Sequence, residues 1–188
     1  MNTETAYIST FRGNRFYPVD GRIECIDIED IAHGLAFQCR FNGQTSEFYS
    51  VAQHSLIVAA IVPPHLYRAA LLHDASEAYL GDVVKPLKGL LHGYKQIEDQ
   101  LTTRIAEHFD VCFDDYSVIK VADLIALATE KRDLMPNSTE AWSYLSGITP
   151  LADKIDPMPP SQAKHCFLDA WFRASRQAVT AQQDRSGF

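Results

Sequence analysis

Apolar residues that recur at steps of three and four, cut at intervals by proline and glycine, constrain this chain more than any other feature. Ile28, Ile31, Ala32, Leu35, Ala36 and Cys39 share one face of a 3.6-residue period. Gly43 is expected to close that segment. Ser50 is placed to cap a second helix that ends before Pro63. Pro64 suits the first turn of a third helix, read as running from about Pro64 to Leu80 and stopped by Gly81. A short helix follows Pro86. Ile97, Leu101, Ile105 and Phe109 mark another, and Asp115 is placed to cap a long one that ends before Pro136. Pro150, Pro157, Pro159 and Pro160 make Met135 to Pro160 mostly loop, with one short helix. Ser161 is read as the cap of a last helix whose face is Cys166, Phe167, Ala170, Trp171, Ala174 and Ala178.

The start is different in character. Tyr7 to Phe11 and Phe16–Tyr17 flank Arg12, Gly13, Asn14 and Arg15, and this pattern predicts a short β-hairpin that must pack on a larger body to persist. The expected fold is therefore all-α, a helical bundle with a small N-terminal β-hairpin. The whole chain, 1–188, reads as a single domain. Residues 1–26 are its hairpin and linker, and 27–183 its helical body.

Composition narrows the function. The longest apolar run, Ser55 to Val62, is too short to span a bilayer. The opening Met-Asn-Thr-Glu-Thr has neither a basic nor an apolar leader region, which predicts a cytoplasmic protein. Cys25, Cys39, Cys112 and Cys166 are scattered and read as reduced, mostly buried thiols. A net charge of −7 argues against broad nucleic-acid binding but leaves room for a small anionic ligand at one pocket.

The chemistry lies in polar residues set within apolar helices. His54 stands between Ala52 and Leu56, His73 and Asp74 follow Leu71–Leu72, and Asp123 lies between Ala122 and Leu124. Burying an imidazole or a carboxylate costs several kcal/mol unless it is paired or binds a metal, by roughly the scale for buried polar groups. Alone, His54 reads as a satisfied core or surface histidine and Asp123 as a helix-surface carboxylate. Together, on three segments, they match the way helical bundles build internal metal sites. Two imidazoles and two carboxylates suit Mn, Fe, Co, Ni or Zn better than Mg or Ca.

The order His54, His73–Asp74, Asp123 resembles the H…HD…D signature of the HD-domain superfamily. The stretch Leu71 to Asp82 is similar to the HDxxE…GD segment of its bacterial 5′-deoxynucleotidase branch, and Arg40–Phe41 stands where that branch carries an Arg-Trp pair. Phe11, Gly13, Phe16–Tyr17, then Ile28 to His33, then Phe48 to Ser55, resemble phage and prophage HD hydrolases. Those include deoxyadenosine-triphosphate hydrolases of phages that replace adenine in their DNA. The resemblance covers roughly residues 7 to 175.

By position, the resemblance implies metal ligation by His54, His73, Asp74 and Asp123, with Glu77 as general acid/base and Asp82 in a catalytic or sugar-binding role. It also implies substrate contacts from Arg40 and Phe41. Arg40, Lys85, Lys88 and Lys120 are candidate phosphate cations. Lys120 is ranked above Lys88 because it lies one turn before Asp123. His33 falls outside the ligand pattern and reads as structural. His65, His92, His108 and His165 read as surface residues, and Trp142 and Trp171 as core or interface aromatics. The implied activity is hydrolysis of a deoxynucleoside mono- or triphosphate at the 5′ α-phosphorus, by a homo-oligomer in which neighbours cover the aromatics Tyr7, Phe11, Phe16 and Tyr17. Alternatives are cleavage of cyclic nucleotides or alarmones, a nucleotide-binding regulator without catalysis, and a helical module with an incidental His–Asp pair.

Overall fold

The computed structural model describes residues 6–18, 26–136 and 140–186. Strands β1 (Ile8–Ser9) and β2 (Arg15–Phe16) form an antiparallel hairpin. Helices follow as α1 (Ile28–Phe37), α2 (Val51–Ile61), α3 (Tyr67–Leu71), α4 (Glu77–Leu80), α5 (Lys85–Lys88), α6 (Tyr94–His108), α7 (Tyr116–Leu134) and α8 (Pro160–Ser186). Short 3₁₀ turns lie at Arg40–Gly43, Pro64–Leu66 and Ser143–Leu145. The architecture is all-α with one small hairpin. No helix among the described residues is long and apolar enough to cross a membrane. Cys25 and the linker stretch 19–25 lie outside the described residues.

Helix α2 is the centre of the bundle and packs on α1, α3, α7 and α8. Its Ser50 cap is present, with the Ser50 hydroxyl accepting from the Gln53 N–H at 3.1 Å. Gln53 fastens the proline-rich loop to α2: its amide donates to the Asp156 carbonyl and accepts from the Met158 N–H. Buried Thr129 holds the same loop to α7 by accepting from the Leu151 N–H at 2.9 Å.

Several sequence expectations change. Helix α1 stops at Phe37, because Gln38 is extended and Cys39 bridges Ser50; Gly43 closes a separate turn. The predicted helix from Pro64 to Leu80 is broken at Leu72–Ser76. There the backbone bonds tighten to the i−3 carbonyl, as in Ala75 N–H to Leu72 and Glu77 N–H to Asp74. Helix α8 opens at Pro160, so Ser161 lies in its first turn rather than capping it. Cys39, Cys112 and Cys166 are free, but none is fully buried, and Cys112 sits in an exposed loop.

The hairpin also differs from expectation. Phe16 is 1% exposed and stacks on Tyr79 with ring centroids 3.8 Å apart, so it belongs to the chain's own core and offers nothing to a neighbour. Phe11 stacks on His33, which stacks in turn on Phe37. This gives His33 the structural place expected of it. His65, His92, His108 and His165 are exposed.

Gly34 shows how closely α1 meets α4. A Cβ there would lie 2.8 Å from the Ala78 carbonyl oxygen and 2.9 Å from the Ala78 Cβ. Gly34→Ala should therefore force the two helices apart and lower stability by about 1–3 kcal/mol, the range for overpacking. A shift of the urea midpoint at constant slope measures this; an unchanged midpoint would mean the crossing yields freely.

Candidate metal centre

Each polar side chain of the cluster is delivered by a different local device. The Ser50 cap starts α2 so that His54 lies one turn in, on the wholly buried side. The tightened turn Leu72–Ser76 delivers His73 and Asp74. Asp123 projects from the middle of α7. The chain then reverses at Gly81, whose φ of +89° disfavours any side chain, and this brings Asp82 back toward the cluster.

The two imidazoles are oriented in the same way. His54 Nδ1 lies 2.6 Å from Glu130 Oε1, and His73 Nδ1 lies 2.7 Å from the Ala70 carbonyl. Both acceptors call for the proton on Nδ1, which turns each Nε2 toward the cluster. His54 Nε2 is 3.2 Å from Asp123 Oδ1 and 3.5 Å from Asp74 Oδ2, and His73 Nε2 is 3.3 Å from the same Asp74 oxygen. His54 Nε2 is nevertheless buried without a hydrogen-bond partner among the described residues. A buried nitrogen with an unused lone pair, facing carboxylates, fits a cation. His54, His73 and Asp123 offer donor atoms within 4.8 Å of one another and can hold a metal ion; Asp74 adds a carboxylate beside both imidazoles.

The charges agree with this. Burial pushes the Asp74 carboxyl up, but His73, His54 and Arg40 more than reverse it, so Asp74 stays ionised. Burial likewise opposes ionisation of Asp123, and His54 and His73 override it. His54 is pushed down by burial and by Arg40, yet Glu130 and Asp123 raise it to about 10. The carboxylates thus draw positive charge onto its Nε2, and a proton and a metal ion compete for that lone pair.

Glu77 is buried at the edge of the cluster. Its Oε1 accepts from Lys88 at 3.1 Å, and its Oε2 has no hydrogen-bond partner among the described residues. Burial, Asp74 and Asp82 together push this carboxyl well above the usual range. Asp82 is half-buried and raised as well, chiefly by burial. Lys88 bridges Glu77 to Glu98, the latter at 2.7 Å. Lys120, in contrast, is exposed, and among the described residues no hydrogen bond or ion pair joins it to the cluster. The order of the two lysines is thereby reversed: the turn after Gly81 carries Lys88 inward, whereas one helical turn before Asp123 points to solvent. Lys85 lies over the Tyr144 ring, away from the carboxylates. A cavity of about 650 Å³ opens on His73 and Asp74 and is lined further by Lys88, Glu98 and Tyr116. A larger groove of about 890 Å³ beside Arg68 and Arg173 shares no residue with the cluster.

Arg40 is buried, with Nη1 3.6 Å from Asp74 and Nη2 3.2 Å from Glu130. The Cys39–Ser50 bridge places it there, through the Arg40 N–H to Tyr49 carbonyl bond of 2.9 Å. The next residues, Phe41 and Asn42, have φ of +54° and +52°. Left-handed backbone at a phenylalanine is unfavourable and persists only where the surroundings impose it. Here it turns Arg40 inward and leaves Phe41 half-buried at the rim.

Sequence reading missed Glu130 and Tyr49. Glu130 is fully buried, accepts from Tyr49 Oη at 2.9 Å, and meets both His54 and Arg40. Burial alone would push its carboxyl up, but Arg40, His54 and Tyr49 reverse this and keep it ionised. The one signal in the sequence is its spacing, seven residues or two turns after Asp123 and so on the same side of α7.

No protein-family profile matches the chain. An Escherichia coli (strain K12) protein, the uncharacterized protein YfdR, is 40% identical over 166 residues, covering 87% of this chain and 93% of that one. A Rhodobacter capsulatus protein, likewise uncharacterized, is 43% identical over 171 residues, covering 80% of this chain and 87% of its own. Identity of that level over nearly the full length of both relatives leaves little room for a different fold or core, and the chain belongs to the family of Escherichia coli YfdR.

Proposed function

We propose that this protein is a metal-dependent phosphohydrolase of the HD type that cleaves nucleotides at the 5′ α-phosphorus. The observation that carries the reading is the pair of imidazoles, each fixed through Nδ1, whose Nε2 atoms converge on Asp74 and Asp123 beside a buried Glu77. His54, His73, Asp74 and Asp123 hold the ion, and their mixed nitrogen and oxygen donors suit Mn, Fe, Co, Ni or Zn. When bound, the ion supplies Lewis acidity toward the phosphate and lowers the pKa of water.

The chain's own groups manage charge and protons. Arg40 and Lys88 oppose the negative charge that a phosphate adds to a carboxylate-rich site. Glu77 is held by Lys88 and, kept protonated by burial, gives its proton to the leaving sugar oxygen as the bond from that oxygen to phosphorus breaks. Water provides the new oxygen on phosphorus, and the proton it releases restores Glu77. A monophosphate then yields nucleoside and phosphate, and a triphosphate yields nucleoside and the intact triphosphate. A cutter of the terminal phosphate would leave a phosphate group that needs little protonation, and would more naturally carry a glycine-rich phosphate cradle with Mg.

Two measurements test this. Chelation should abolish turnover, and Mn or Co should restore it better than Ca; full activity in metal-stripped protein would sink the mechanism. A screen of ribo- and deoxynucleoside mono-, di- and triphosphates should release nucleoside as the first product. Nucleoside diphosphate appearing first, with free phosphate, would place the cut at the γ position.

A further inference from the structure

The rim of the site carries a row of rings that the proposed chemistry does not use. Phe41, Trp142 and Tyr144 follow one another, with centroids 6.2 Å apart for the first pair and 5.8 Å for the second, the latter stacked. Each ring has a cation over it: Arg40 at 5.3 Å from Phe41, Lys131 at 4.9 Å from Trp142 and Lys85 at 4.9 Å from Tyr144. The row meets the cluster at its Phe41 end, where the adjacent Arg40 lies 3.6 Å from Asp74.

Stretches 40–41, 85 and 131–144 thus meet to build one aromatic, positively charged wall on a chain of net charge −7. Sequence reading takes Trp142 for a core or interface residue, yet it is half-buried and Tyr144 is 45% exposed. Lys131 also holds the start of this segment, donating to the Glu140 carbonyl at 2.8 Å. Flat rings at an open rim stack planar heteroaromatic groups, and neighbouring cations select those that carry negative charge.

We infer that Trp142, backed by Tyr144 and flanked by Lys85 and Lys131, is the nucleobase-stacking wall of the site, and that its ligand is a nucleotide held by base and charge together. The inference rests on the proposed function for the orientation of that nucleotide, with its phosphate at the metal cluster.

The chain has two tryptophans, and Trp171 is 5% exposed in the core, so a ligand-dependent change in emission reports Trp142. The full chain is titrated with dAMP, and separately with 2-deoxyribose 5-phosphate and inorganic tripolyphosphate. Expected is quenching by dAMP alone, lost in Trp142→Phe, with calorimetric affinity for dAMP at least about tenfold weaker in Trp142→Ala, on the scale of one base–aromatic stack. The affinity of Trp142→Ala for 2-deoxyribose 5-phosphate should be unchanged. Equal quenching by tripolyphosphate would reduce the wall to an anion site and overturn the inference, as would a Trp142→Ala protein that binds dAMP like the parent. Hydrolysis without quenching removes the wall and leaves the proposed function standing. Quenching without hydrolysis of any nucleotide keeps the wall and removes the function.

Discussion

Glu77→Gln should lower turnover at least about a hundredfold while leaving the bound metal in place, the usual scale for losing a general acid or base. Glutamine keeps the size of the side chain and an oxygen to accept from Lys88, so the hydrogen bond and the local packing survive. What is lost is the transferable proton. Asp74→Ala should behave differently and lose metal and turnover together, because Asp74 stands beside both imidazoles. Glu98→Gln serves as the control: it weakens the second partner of Lys88 without touching Glu77. Metal content by elemental analysis and turnover under saturating substrate separate the three. Near-normal turnover in Glu77→Gln would remove this residue from the chemistry, and retained metal in Asp74→Ala would remove that one from the ligand set.

The parts of this molecule that are legible in the sequence are those governed by local rules. The apolar periods of α1, α6, α7 and α8 are set by residues within one helix, and the Ser50 cap needs only its own hydroxyl and the N–H three residues on. The cluster His54, His73, Asp74 and Asp123 can be read because an imidazole or carboxylate inside an apolar helix must be paired or bind a cation to be tolerated there. What cannot be read depends on tertiary contacts. The break at Leu72–Ser76 occurs in a stretch that carries neither proline nor glycine, so no local rule announces it. Lys88 over Lys120 is decided by the reversal at Gly81 and by Glu98 on another helix. Phe16 reads as an exposed hairpin aromatic because its partner, Tyr79, lies more than sixty residues away. Glu130 escapes for the same reason: its three partners come from the 3₁₀ turn, the residue before Ser50 and α2.

Glu130 should prove as consequential as the ligands themselves. It is an ionised carboxylate with no exposure, and it divides its two oxygens between one guanidinium, one phenol and one imidazole. Removing one partner of a buried charge pair costs about 3–5 kcal/mol, since the remaining charge is left without compensation. Glu130→Ala leaves Arg40 with its longer contact to Asp74, at 3.6 Å, and should fall toward the lower end of that range by chemical denaturation. The more informative variant is Glu130→Gln. The amide keeps the shape and can still accept from Tyr49 or His54, but it no longer dictates which nitrogen of His54 carries the proton. It can as readily donate to Nδ1, which would move the ring proton to Nε2 and oppose metal binding. Metal affinity should then fall about 10–100-fold, the usual effect of losing a carboxylate behind a ligating histidine. Tyr49→Phe provides the comparison. It removes a hydrogen bond to the same carboxylate, worth about 1.5–3 kcal/mol for a charged acceptor, without altering what His54 Nδ1 meets. If Glu130 only stabilises the fold, Glu130→Gln and Tyr49→Phe will both lose stability and both bind metal as the parent does. If it orients His54, calorimetric titration with Mn will separate them, the first weakened by at least about tenfold and the second close to the parent. Equal metal affinity in the two variants would reject the orienting role.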